Sequence, residues 1–112
     1  MKVFGIKTCD TCRKARKWLD ENGKPYQWQD LREQPVDAQR LQRWLDELGP
    51  EQLINRRSTS WRQLDEATRT RVMNPATATA VIEQHPTLIK RPVFETGDRV
   101  MVGFSEAVRQ SL

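Results

Sequence analysis

The chain has only two cysteines, Cys9 and Cys12, and both fall where a short alternating apolar run (Val3, Phe4, Ile6) gives way directly to a helical pattern. A CxxC pair at such a junction puts the first sulfur at the mouth of a helix and the second one turn inside it. The two are then close enough to form a disulfide with each other. From about Asp10 to Glu21 the residues Cys12, Ala15 and Leu19 share one stripe, with Trp18 beside it, and Asn22-Gly23 supplies the stop. Residues 26–31, YQWQDL, alternate again and read as a second strand after the turn at Gly23-Lys24-Pro25. Strand, helix and strand within some thirty residues form a βαβ unit, whose crossover helix makes the strands parallel. Cys9 is thereby expected at the C-terminal edge of the first strand, the edge where open α/β sheets bind ligands.

The charges of that first helix are reversed with respect to its dipole. Arg13, Lys14, Arg16 and Lys17 occupy the early turns, and Asp20 and Glu21 come last. One reading is a solvated face paired Arg16 to Asp20 and Lys17 to Glu21, although basic-before-acidic is the weaker order at this spacing. The other is that the added positive charge meets an anion, either a cysteine thiolate or a bound acidic thiol. The sequence leaves both open.

Beyond a polar link from Arg32 to Pro35, Leu41, Trp44, Leu45 and Leu48 mark a second amphipathic helix, which Gly49-Pro50 ends. Residues 51–73 hold a basic, hydroxyl-rich turn and short helical pieces around Trp61 to Leu64. Asn74-Pro75 has the form of an N-cap followed by proline at the first helical position; Ala78, Val81 and Ile82 then face inward until His85-Pro86 closes the helix. The period changes once more at the end. Val93 to Thr96 and Arg99 to Val102 flank Gly97-Asp98 as a hairpin, and Ser105 caps a short terminal helix.

At 112 residues the chain is expected to form a single domain, 1–112, with a helical insertion over about 35–85. Its 37% hydrophobic content comes in bursts too short to span a bilayer, so a soluble protein without a membrane partner is expected. The start, MKVFGIKTC, lacks the apolar core and cleavage site of a secretory signal, which favours the cytoplasm. In that reducing compartment a CxxC pair is catalytic, redox-sensing or metal-binding rather than a permanent staple. The net charge is +4, but basic and acidic residues alternate and no nucleic-acid-binding motif accompanies them, so no nucleic acid is expected as partner. Zinc needs four ligands, and the chain offers two cysteines and His85, itself a surface residue at a helix end; no metal site is expected. Inert burial of both thiols is the plain alternative. Against it stands the position of Cys9, where helix amides and dipole favour the thiolate that attacks disulfides, with Cys12 placed to resolve the product.

The segments KTCDTCRKA, LINRRSTSW, HPTLIKRPVF and VGFSE together resemble the arsenate-reductase-like (ArsC-type) branch of the thioredoxin superfamily, closest to its YffB and Spx-type members. The resemblance spans essentially the whole chain. It implies an α/β thioredoxin-like fold with a small mixed sheet, built from the βαβ start and the C-terminal hairpin and helix, plus the helical insertion. It also implies that Cys9 is the catalytic cysteine and that Arg91-Pro92 is the family's Arg-Pro pair, whose proline is cis and packs beside it. In arsenate reductases several arginines hold the oxyanion: Arg91 matches one, Arg56 or Arg57 could supply another, and the third is replaced by Val102-Gly103-Phe104.

The expected function is a cytoplasmic, glutathione-dependent thiol–disulfide oxidoreductase without a bound cofactor, taking glutathione or another small thiol or disulfide as partner. Cys9 attacks, Cys12 resolves, and Arg13, Arg57 and Arg91 hold carboxylates near the sulfur, with Pro92 as the wall of the site. Arsenate reduction shares the nucleophile and is one alternative. An Spx-type redox switch that binds RNA polymerase is the other.

Overall fold

Alternation at the N-terminus becomes a strand: in the computed structural model, which describes residues 1–112, Lys2–Gly5 form β1. The helix that follows, α1, spans Asp10–Glu21, the limits that its stop signal and its periodicity set. β2 is Gln27–Asp30, shorter than the YQWQDL run, and pairs parallel with β1, Val3 opposite Trp28. β3 (Val93–Thr96) lies antiparallel on the other side of β1 and continues through Gly97, at φ 60°, into β4 (Arg99–Val102). The order β2-β1-β3-β4 makes a mixed sheet with β1 inside it, which is why Val3 and Phe4 are fully buried.

Two compact units divide the chain. The first joins Met1–Gln34 to Arg91–Leu112. Its core unites Val3 of β1, Ala15 and Leu19 of α1, Phe94 of β3 and Met101 of β4, so the apolar stripe of α1 covers one face of the sheet. Trp18 and Phe104 meet edge to face at 5.8 Å beside that core. A last helix, α7 (Glu106–Ser111), starts where the Ser105 hydroxyl accepts the Val108 N–H at 3.3 Å.

The second unit, Pro35–Lys90, is helical. Helix α2 (Ala38–Leu48) begins at Asp37, whose carboxylate accepts the Arg40 N–H, and buries Leu41, Trp44 and Leu45. Gly49, at φ 76°, ends it, and Pro50 then opens α3 (Pro50–Leu53), since a proline at a first helical position sacrifices no hydrogen bond. Helices α4 (Thr59–Arg62) and α5 (Glu66–Val72) are capped by Ser58 and Asp65. One expectation is corrected here: Asn74-Pro75 does not start a helix. The Asn74 side chain accepts the Ala76 N–H in a local turn and its carbonyl accepts from Thr77 and Ala78, so α6 begins only at Ala78 and runs to Gln84. A 3₁₀ turn, Pro86–Leu88, follows exposed His85, and an antiparallel bridge between Ile54 and Ile89 closes the unit. That bridge carries the unit five residues past the expected limit at 85.

Candidate active site

The site is built by the first unit, at the end of β1. The turn from Ile6 to Cys9 is closed by the Cys9 N–H on the Ile6 carbonyl at 3.0 Å. It is also clamped from the side. Asp30, buried at the end of β2, accepts the Lys7 N–H on Oδ2 at 2.8 Å and the N–H groups of Arg32 and Glu33 on Oδ1 at 2.8 and 3.2 Å. One carboxylate thus ties the turn that delivers Cys9 to the turn leaving β2, and an ion pair between Lys7 and Glu33 spans the same two turns. Burial raises the Asp30 pKa, but the three amides outweigh it and leave the group below the usual carboxylate range. The sequence signal for Asp30 was an aspartate closing a strand ahead of a polar turn; the expected site residues did not include it.

Cys9 is the N-cap of α1. Its backbone is extended, its carbonyl receives the first helical bond from the Arg13 N–H at 3.0 Å, and its side chain makes no capping hydrogen bond. A residue at this position ordinarily satisfies the free helix amides through a side-chain oxygen. Here those amides face a sulfur that can ionise. Burial opposes the Cys9 thiolate, yet the Cys12 N–H, the Cys12 thiol and the Arg91 guanidinium together hold its pKa below that of an ordinary thiol. Cys12 lies one turn on, fully buried in the inward stripe of α1, and is displaced the other way, up to about 12. Its burial is the main cause; the Ile6 N–H opposes the rise, and the negative charge of Cys9 adds to it. Both thiols are free.

Gly5 makes the close packing around Cys12 possible. A Cβ at this position would stand 2.5 Å from the Cys12 Sγ and 2.9 Å from Cη2 of the Trp28 ring, so sulfur and indole occupy the space that any larger residue would take. Arg16 in turn stacks on Trp28, its guanidinium 4.2 Å from the ring centroid, and donates from Nε to the Tyr26 hydroxyl at 3.3 Å. It therefore does not pair with Asp20. Of the two ion pairs expected along α1, Lys17 to Glu21 forms, at 3.9 Å. Arg13 pairs with Asp10 at the helix start.

The Arg91-Pro92 peptide bond is cis, and Pro92 is buried, its carbonyl accepting the Gly103 N–H at 2.9 Å. Arg91, half-buried, favours the ionised form of both cysteines. Cys9, Cys12 and Arg91 are thus brought together, with Pro92 joined to Arg91 through the cis bond. Arg13 is exposed one turn after Cys9. Arg57, like Arg56, is exposed on the turn that Asn55 organises in the helical unit, the Asn55 side chain accepting the Arg57 N–H at 3.0 Å. In the Val102-Gly103-Phe104 stretch, Gly103 turns the chain at φ 79° and the Phe104 ring packs on Trp18 and Phe94, so this position is apolar. No group of three or more His, Cys, Asp or Glu side chains stands where it could hold a metal.

A buried thiol and a thiol at a helix N-cap position thus share one βαβ unit, beside the arginine of a cis Arg-Pro bond. The ArsC family model matches residues 4–111. This chain belongs to the ArsC family. An uncharacterised protein of Haemophilus influenzae is 38% identical over 109 residues, which cover 97% of this chain and 95% of that one. The global transcriptional regulator Spx of Streptococcus mutans is 30% identical over 110 residues, 93% of this chain and 76% of its own. Among solved structures, a YffB protein superposes with a TM-score of 0.90 at 39% identity, covering 98% of this chain and 96% of that one. The ArsC-family sheet and helices described above are accordingly of the thioredoxin-like, ArsC type.

Proposed function

We propose that this ArsC-family protein is a cytoplasmic thiol–disulfide oxidoreductase that uses Cys9 as nucleophile and glutathione as reductant. The observation that carries the reading is the unequal placing of the two thiols, Cys9 at the N-cap of α1 and Cys12 fully buried one turn on, which displaces Cys9 toward the thiolate and Cys12 toward the protonated form. The Cys9 thiolate attacks one sulfur of a substrate disulfide, and the other sulfur leaves as a thiolate that takes up a proton. A mixed disulfide on Cys9 no longer carries the negative charge that helped to hold the proton on Cys12, and Arg91 is released to favour the second thiolate. Cys12 then loses its proton and attacks the Cys9 sulfur, expelling the remaining substrate thiolate and leaving a Cys9–Cys12 disulfide. Two glutathione thiols reduce that bond and leave as oxidised glutathione. Arg91, Arg13 and, from the helical unit, Arg57 are the cations proposed for the glutathione carboxylates; the Arg13–Asp10 pair is exposed, so exchanging Asp10 for a ligand costs little. The apolar Val102-Gly103-Phe104 stretch counts against an oxyanion such as arsenate.

The likeness to Spx favours a second reading, a redox-sensing regulator that contacts RNA polymerase without turnover. Reduction of hydroxyethyl disulfide by glutathione separates the two. Turnover by the wild type, its loss in Cys9→Ala, and accumulation of glutathione on Cys9 in Cys12→Ser, seen by mass spectrometry, are the expected results. Absence of turnover together with RNA polymerase binding that changes on oxidation overturns the enzyme reading in favour of the regulator.

A further inference from the structure

One face of α1 is used neither by the sheet nor by the cysteines. A groove of about 480 Å³ runs along it from Thr11, the residue just before Cys12, to Glu21, with Phe104 and Arg109 as the opposite wall. The ten residue-to-residue steps from Thr11 to Glu21, at a rise of about 1.5 Å each, make it about 15 Å long, the length of four to five residues of extended polypeptide at about 3.3 Å each. Three cations, Lys14, Lys17 and Arg109, line it against one carboxylate, Glu21. Lys17 and Arg109 reach their own acids, Glu21 and Glu106, only at 3.9 Å, and the Lys14 ammonium has no hydrogen bond or ion pair. This is the reversed charge order of α1 that the catalytic cysteines leave unexplained. The floor is aromatic: Trp18 and Phe104 meet edge to face, with the Lys24 ammonium 5.9 Å from the Trp18 centroid and the Arg109 guanidinium 5.3 Å from the centre of Phe104. A cation already set against each ring competes with a stacking nucleobase, and the mixed cationic and aromatic lining suits acidic and apolar side chains.

We propose that this groove seats an acidic polypeptide segment next to the cysteine under attack, so that the protein acts on a disulfide carried by an acidic protein chain. The proposal rests on the thiol–disulfide reading above for what happens at Cys9. The groove binds by its own chemistry: cations on the rim attract carboxylates, the aromatic floor accepts apolar side chains, and the end at Thr11 brings the segment to the active-site turn.

Two seven-residue peptides, each bearing one cysteine as a mixed disulfide with thionitrobenzoate, test it. One has Asp and Glu along its length and the other has Lys in their place. At low ionic strength the wild type is expected to prefer the acidic peptide in kcat/KM by about tenfold, as a few exposed charge pairs allow, with the preference fading in high salt. The double variant Lys14→Glu/Lys17→Glu is expected to abolish or invert the ratio. A ratio near one for the wild type, or one that the double variant leaves unchanged, overturns the proposal. Binding is read separately by the fluorescence anisotropy of a labelled acidic peptide with serine in place of cysteine. If that peptide binds the wild type and not the double variant while no disulfide is turned over, the groove stands and the reductase reading falls. Displacement of the peptide by oligothymidylate at lower concentration than by unlabelled peptide assigns the groove to nucleic acid and overturns the proposal.

Discussion

At Cys9 a sulfur stands where helices ordinarily place an oxygen, so the electrostatic reward of capping α1 is reserved for the ionised thiol. The rate of alkylation of Cys9 by iodoacetamide should accordingly reach half its maximum at a lower pH than for an ordinary thiol. Arg91→Gln should move that midpoint upward. Cys12 gives the opposite sign. Between pH 9.0 and about 12 the unfolded chain has released the Cys12 proton while the folded chain retains it, so the unfolded state binds fewer protons and stability falls as pH rises. Denaturant unfolding of the reduced protein should show this fall, and Cys12→Ser should show less of it. Gly5→Ala drives a methyl against the Cys12 sulfur and the Trp28 ring and should cost about 1–3 kcal/mol by the same measurement. The unequal settings of the cysteines, one at the helix mouth and one buried a turn inside, were legible in the sequence, because they follow from a local strand-to-helix junction. The demand for glycine at position 5 was not, because it depends on an indole delivered from β2, and Arg16 likewise found its partner across space on Trp28 instead of one turn along its own helix.

Among the elements, α1 and the β3–β4 hairpin were readable to their limits, since Asn22-Gly23 and Gly97-Asp98 are local signals that no tertiary contact overrides. Asn74-Pro75 misled because the asparagine spends its side chain on the Ala76 N–H, an alternative local bond that sequence pattern does not distinguish from a cap. Asp30 shows a different limit. Its chemistry lies in three backbone N–H groups, one of them on Lys7, 23 positions earlier. Asp30→Asn places an amide where one of these donors needs an acceptor. A loss of about 1–3 kcal/mol is expected, the cost of leaving a buried partner unsatisfied. The pH dependence follows from the depressed Asp30 pKa: the stability that the carboxylate contributes is present above its unfolded pKa and is lost as pH falls through the folded one. Acid unfolding of Asp30→Asn should lack that component, and its Cys9 alkylation profile should shift toward that of an ordinary thiol as the turn loosens.

For the molecule as a whole, the sheet is assembled from the two ends of the chain, β1 and β2 from residues 2–30 and β3 and β4 from residues 93–102. The sequence indicated a parallel pair and a hairpin; that the hairpin completes the sheet against β1 was implied by the resemblance rather than by any local pattern. The dependence is testable. A chain ending at Lys90 keeps both cysteines and all of α1 but lacks Phe94 and Met101, and with them part of the core under that helix. It should lose the far-ultraviolet signature of the sheet unit, and its Cys9 should alkylate with the profile of a free thiol. The contact over Gly5 has an optical consequence as well. Trp28 and the Cys12 sulfur converge over Gly5, Cη2 within 2.9 Å and Sγ within 2.5 Å of where its Cβ would stand, and a disulfide quenches excited indole by accepting an electron from it. Oxidation should therefore dim the Trp28 emission, an optical gauge of the dithiol that Trp28→Phe would silence.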